Sequence, residues 1–173
     1  MSDTTAVYDV VVLGAGIVGL NALAVASEYV GQNGRLLLVD RRPGPGGMWN
    51  DTYGYVRLHQ PHPFFTAASI KWKQGHRREH LATKPEVLDH LGYCLQVVSG
   101  RAELDTRFGC EYVDHVERGD GVDVSLRDAD GVTSVVTAKR VVKAFGYNIA
   151  TNPPLSFSTD RVHSISPDDH DVR

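Results

Sequence analysis

The chain has 173 residues, 42% of them hydrophobic and 23% charged, which is enough for one well-buried domain and unlike a disordered chain. A formal net charge of -3 offers no global field for gathering nucleic acid or an anionic membrane, so neither is expected as a partner. The start, Met1-Ser2-Asp3-Thr4-Thr5, lacks a basic segment followed by an apolar one, and no run approaches the roughly 18 apolar residues that span a bilayer, so a cytoplasmic protein is expected.

In chain order, residues 8 to 13 form a near-continuous apolar run, as a central parallel strand covered on both faces requires. Gly14-Ala15-Gly16-Ile17-Val18-Gly19 follows, opening a helix over 17 to 30 that Gly31-Gln32-Asn33-Gly34 closes. A second apolar run, Leu36-Leu37-Leu38-Val39, ends in Asp40, about the expected twenty residues beyond the last glycine. Strand, glycine turn, helix, strand and acid together are the dinucleotide fingerprint. The first glycine permits the tight turn, the second lets a pyrophosphate approach the backbone, and the third lets helix lie close on strand. Phosphate then sits at the helix's positive end, on the amides that include those of Ile17 and Val18. Asp40 can accept hydrogen bonds from an adenosine ribose; an acid there favours a free 2′-hydroxyl, so FAD or NAD is expected rather than NADP.

Residues 43 to 82 show no sustained periodicity and are rich in Pro, Gly, His and aromatics, a loop long enough to imply a function. Thr83-Lys84-Pro85-Glu86 then pairs a capping hydroxyl with a glutamate three residues on, and Val87, Leu88, Leu91, Leu95 and Val98 recur at helical spacing. From Glu111 the period changes to two, predicting a three-stranded antiparallel meander over roughly 111 to 117, 121 to 128 and 132 to 138. Val141-Val142-Lys143-Ala144-Phe145 reads as a further apolar strand, ending in Gly146 and rejoining the parallel sheet at the edge where ligands collect. The expected fold is α/β: a Rossmann-like domain over 1–150 with a parallel sheet, crossover helices and an inserted meander (111–138), followed by a loosely held tail, 151–173.

The two cysteines, Cys94 and Cys110, form no Cys-x-x-Cys and read as buried thiols. His59 with His62, and His76 with His80, are spaced like ligand pairs, but no third ligand accompanies either in sequence, so no metal is expected and solvated or cofactor-adjacent histidines are the better reading. Lys71-Trp72-Lys73-Gln74-Gly75-His76-Arg77-Arg78 is the one basic and aromatic cluster; in an acidic chain it reads as a solvated loop. No Gly-x-Ser-x-Gly, Cys–His arrangement or P-loop is present, and no catalytic side chain stands out.

Soon after Asp40 stands Arg41-Arg42-Pro43-Gly44-Pro45-Gly46-Gly47-Met48-Trp49. This string resembles the acid, basic residue and Gly-Gly-x-Trp of the flavin-containing and Baeyer–Villiger monooxygenases, two-dinucleotide flavoproteins. The resemblance implies FAD as cofactor, with Arg41 and Met48 beside it, Gly46 and Gly47 letting the backbone pass under the ribityl chain and diphosphate, and Trp49 covering the cofactor. It places Arg57-Leu58-His59-Gln60-Pro61 along the isoalloxazine, with Leu58 packing on the ring and His59 or Gln60 at its polar edge. It gives Val113 the adenine-holding strand, and Ala144-Phe145-Gly146 the place of the family's Ala-Thr-Gly. Phe157 and His163 stand six apart as in the Baeyer–Villiger signature, although Thr159 and Pro167 replace its glycine and tryptophan.

In that family a second glycine fingerprint, binding NADPH, follows the histidine-bearing segment, and the ten residues after His163 cannot build it. The chain is therefore expected to be the FAD-binding part of a flavin-dependent, NAD(P)H-driven monooxygenase-like oxidoreductase acting on a small-molecule substrate, with NADPH on a missing C-terminal domain or partner chain. The implied chemistry is reduction of FAD by NADPH and oxygen transfer to an organic substrate. Alternatives are a non-catalytic dinucleotide-binding or interaction module, one subunit of a split flavoenzyme, and a plain NAD-dependent dehydrogenase, which leaves Gly46-Gly47-x-Trp49 unexplained.

Overall fold

The structure, a computed structural model, describes residues 7–73, 75–146, 155–162 and 164. The expected βαβ unit is present as β1 (Tyr8–Leu13), α1 (Ile17–Val30) and β2 (Arg35–Asp40), with β1 and β2 parallel. Helix α2 (Lys84–Ser99) leads to β3 (Glu103–Phe108), then β4 (Glu111–Glu117), β5 (Val122–Arg127) and β6 (Thr133–Lys143). The strands hydrogen-bond in the order β3-β2-β1-β6-β5-β4. The first four are mutually parallel, and β5 is antiparallel to both β6 and β4.

Two strands depart from expectation. The meander's third strand and the returning apolar strand are one element: β6 runs unbroken from Thr133 to Lys143, and Ala138 pairs with both Val122 of β5 and Tyr8 of β1. The polar Lys139-Arg140 that suggests a break in sequence is exposed at the point where the strand passes from one partner to the other. Strand β3 carries no apolar run, because it is an edge strand. Its Glu103 and Asp105 pair with Arg35 of β2, and Asp105 also accepts from the Tyr8 hydroxyl at 2.7 Å.

Strands β3 and β4 stand at opposite ends of the hydrogen-bonded order, about 24 Å apart in a flat sheet, yet only Gly109 and Cys110 separate them, a reach of about 11 Å. The sheet must fold over on itself. Gly109, at φ +66, makes the turn, and the Gly109 and Cys110 amides donate to the carbonyls of Arg42 and Asp40, both at 3.0 Å. The meander thus lies across one face of the parallel strands and the helices across the other. Val10, Val12, Leu36 and Leu38 face Leu20, Leu23, Val87, Leu91 and Val98, whereas Val11, Leu13, Leu37 and Val39 face Val124, Leu126, Val136 and Ala138. Each fully buried Leu or Val contributes about 1.5–3 kcal/mol, which explains why β1 and β2 read as continuous apolar runs. Cys94 and Cys110 are both buried, one in each core. Among the described residues no helix is long and apolar enough to cross a membrane.

Candidate functional site

Two of the three glycines of the first turn, Gly14 and Gly19, are required by backbone contacts. Gly14 sits at φ +108, and a Cβ on it would meet the Ala144 carbonyl oxygen at 2.9 Å; a Cβ on Gly19 would meet the Gly14 carbonyl oxygen at 1.7 Å. Gly14 N–H donates to the Val39 carbonyl at 2.7 Å, and Ala144 N–H to that of Leu13 at 2.8 Å, which fastens the turn between β2 and the end of β6. Helix α1 begins at Gly16 with no side-chain cap and no acidic residue in its first turn. The amides of Ile17, Val18 and Gly19, without carbonyls one turn earlier to receive them, stand at the helix's positive end.

Asp40 closes the turn from the side. One carboxylate oxygen accepts the Ala15 N–H at 2.6 Å and the other the Arg42 N–H at 2.8 Å, with the residue 7% exposed. Each oxygen retains lone-pair capacity for a further donor.

Gly46-Gly47 folds back onto this turn. The Gly46 N–H donates to Ala15 carbonyl at 2.9 Å. Gly47, at φ +55, lies so close that its Cβ would stand 2.7 Å from the Gly16 Cα, and Gly46, at φ +139, would drive a Cβ into Leu88 of α2 at 2.6 Å. Supports that the sequence pattern does not single out complete the loop. Arg42 pairs with Asp51, raising the guanidinium's pKa and lowering the carboxyl's, and Lys84 Nζ donates to the carbonyls of Asn50 and Thr52. For Arg42 and Asp51 the only sequence signal is charge beside a glycine-rich loop, and Lys84 reaches it from the start of α2, 34 residues beyond Asn50.

The other predicted residues scatter around this centre. Arg41, Val18 and Met48 are exposed. Trp49 is half-buried, its ring edge-on to Phe65 at 5.9 Å and packed against the helix-side core. Leu58, 4% exposed, belongs to that same core and donates its N–H to the Ala82 carbonyl at 2.8 Å; His59 beside it is exposed and Gln60 half-buried. Val113 falls at a break in register between Tyr112 and Asp114, so no residue of β5 stands directly opposite it. Phe145 stacks on Tyr112 at 5.6 Å. Ala144 touches the first turn, whereas a Cβ on Gly146 would meet nothing within 4 Å. His163 and Pro167 lie outside the described residues.

The basic and aromatic segment is less solvated than expected. Trp72 is half-buried, donates from Nε1 to the Phe65 carbonyl at 2.9 Å and stacks on His90 at 4.1 Å. Burial pushes His90 down to about 4 and the Cys94 thiol up to about 11. His76 and His80 meet Glu86 at the start of α2, six residues beyond His80, so the third ligand that the sequence reading did not assign to the pair is the capping glutamate.

A parallel sheet feeding a three-glycine turn, an acid closing it, and a meander across the sheet's second face define a Rossmann-like α/β protein of the kind seen in flavin-dependent enzymes. Comparison with known proteins agrees on the fold. A cyclohexanone monooxygenase mutant from Rhodococcus sp. Phi1, bound to NADP+, is 28% identical with a TM-score of 0.66, covering 90% of this chain and 29% of its own. Bacillithiol disulfide reductase from Bacillus cereus superposes with a TM-score of 0.67 at 17% identity, covering 82% of this chain and 40% of its own. An uncharacterized protein of Mycobacterium tuberculosis is 31% identical over 161 residues, 85% of this chain. The chain spans 27% of the length of that relative. No family model matches.

Proposed function

We propose that the chain is the FAD-binding portion of a flavin-dependent, NAD(P)H-driven oxidoreductase of monooxygenase type. The observation that carries this reading is the uncapped start of α1, where no side chain caps the first amides and the Gly46-Gly47 backbone closes against Gly16. Bound FAD would supply the redox chemistry; the chain supplies binding and orientation. In this reading the amides of Ile17, Val18 and Gly19 receive the diphosphate, and Asp40 accepts the ribose hydroxyls through its remaining lone pairs. Val113, at its break in register, offers main-chain groups to adenine, while Gly46, Gly47, Met48 and Trp49 line the path towards the flavin. Residues 1–150 form the FAD-binding domain, and 151–173 lead towards the NADPH site of a further domain or partner chain. The relatives' greater length and the monooxygenases among the structural neighbours support that arrangement.

Titration of tag-free protein with FAD, followed by flavin absorbance and calorimetry, tests the reading. One FAD per chain is the expected outcome. Protein that takes up NAD but retains no flavin colour once excess FAD is removed by desalting would overturn it.

A further inference from the structure

The histidines that the dinucleotide turn leaves unused gather at the first turn of α2. His76 Nε2 lies 3.2 Å from Glu86 Oε1, and His80 Nε2 lies 3.1 Å from Oε1 and 3.0 Å from Oε2. The two imidazoles are stacked, 4.2 Å between centroids and 19° between planes, and one ligand atom from each of the three residues lies within 4.8 Å of the others. We propose that His76, His80 and Glu86 form a three-ligand site for a divalent transition-metal ion, zinc foremost, with the fourth position open to water or another ligand.

Two imidazole nitrogens and a carboxylate oxygen are a donor set that zinc accepts, at about 2.0–2.1 Å per bond. Tetrahedral bonds of that length put neighbouring ligand atoms about 3.3 Å apart, and the two nitrogen-to-Oε1 separations already match. The two nitrogens lie within 4.8 Å of each other, and metal binding requires the half-buried rings to turn out of their stack so that both lone pairs converge on one point. The carboxylate is pre-aimed: Oε2 accepts the Thr83 N–H at 2.7 Å and the Thr83 hydroxyl at 2.8 Å, leaving Oε1 directed at the imidazoles. His80 is also held from behind, because its carbonyl accepts the His62 N–H at 3.0 Å, and the buried His62 ring packs edge-on to both imidazoles. Such outer contacts fix ligand orientation and raise affinity. Both ring nitrogens share the one carboxylate, and one cation satisfies all three groups, each imidazole binding through Nε2 and carrying its proton on Nδ1. The ion would pin residues 76–80 to the helix that also carries Lys84 and Leu88, two supports of the Gly46-Gly47 loop.

The test uses tag-free full chain, stripped with chelator and titrated with Zn2+ by competition calorimetry, and with Co2+ by visible absorbance. One equivalent bound at micromolar affinity or tighter, with intense cobalt bands and a raised Tm, is expected. His76→Ala and His80→Ala, which leave the Thr83–Glu86 cap in place, should each weaken binding about tenfold or more, and His115→Ala on the meander should not. Binding well below one equivalent, millimolar affinity, or equal affinity in His80→Ala and the parent protein would each overturn the proposal. This outcome is independent of FAD uptake.

Discussion

The two long helices begin in opposite ways. Helix α2 is closed by its own side chains: Thr83 and Glu86 form a reciprocal capping box, Pro85 sits in the first turn, and an acid faces the helix's positive end. Helix α1 has none of these, and its start is shaped by backbone against backbone, with Gly14, Gly16, Gly19 and Gly47 all in or near contact. A helix that only has to fold satisfies its first amides internally; one that offers them to an anion cannot. Their glycines follow the same division. Gly19 of α1 has no room for a side chain, whereas a Cβ on Gly92 of α2 would meet nothing within 4 Å.

Gly19→Ala and Gly92→Ala are therefore the same substitution with opposite expected signs. Alanine is the better helix former by about 1 kcal/mol, so Gly92→Ala should stabilise by about that amount. At Gly19 the collision with the Gly14 carbonyl outweighs that gain, and a net loss of about 2 kcal/mol or more is expected. Urea unfolding midpoints decide it; equal shifts at the two positions would erase the distinction between the helices.

A smaller effect concerns pH. Hydrogen bonding from the Thr83 amide, helped by His80, lowers the Glu86 carboxyl to about 2 from its usual 4.5. A depressed carboxyl contributes stability that is full above the unfolded pKa and is lost as pH falls through the folded one. Metal-free protein should thus lose on the order of 2 kcal/mol from this group between pH 4.5 and 2. Glu86→Gln should be less stable at pH 7 and flatter across that window in thermal melts. An unchanged acid profile would mean that the cap is not what holds α2.

The smallest expected stability change tests the open helix start directly. Gly16 is extended, at φ -78 and ψ -177, and a Cβ there would meet only the Gly47 Cα at 3.5 Å, so serine fits. Gly16→Ser should change stability by only a few tenths of a kcal/mol, by giving α1 a cap. It should also weaken FAD binding sharply in the calorimetric titration, because the hydroxyl claims amides meant for diphosphate. FAD bound as tightly by this variant as by the parent would place the cofactor elsewhere.

Much of the dinucleotide turn is legible in sequence because its constraints are local: strand, turn and first helical turn span a dozen residues, and the steric need for glycine shows directly as glycine. The helix-side burial of Leu58, the double pairing of Ala138 and the edge position of β3 are not legible, since each depends on which strand or helix comes to lie alongside. The histidines show the same limit. His76 and His80 are visible as a pair, but their carboxylate belongs to a helix cap that sequence patterning accounts for without them.

The residues alone therefore specified a βαβ unit with a glycine turn, an acid at the second strand's end and two amphipathic coverings for a parallel sheet, because hydrophobic period and backbone sterics act over short stretches of chain. Only the folded chain decided that the meander crosses back over the parallel strands, that β6 pairs with both β1 and β5, and that Gly47 meets Gly16 while His76 and His80 meet Glu86. All but the histidine contacts join segments distant along the chain, and their geometry is set by how two cores pack on opposite faces of one sheet; the histidines lie six and ten residues from Glu86, brought to it by the turn that leads into α2.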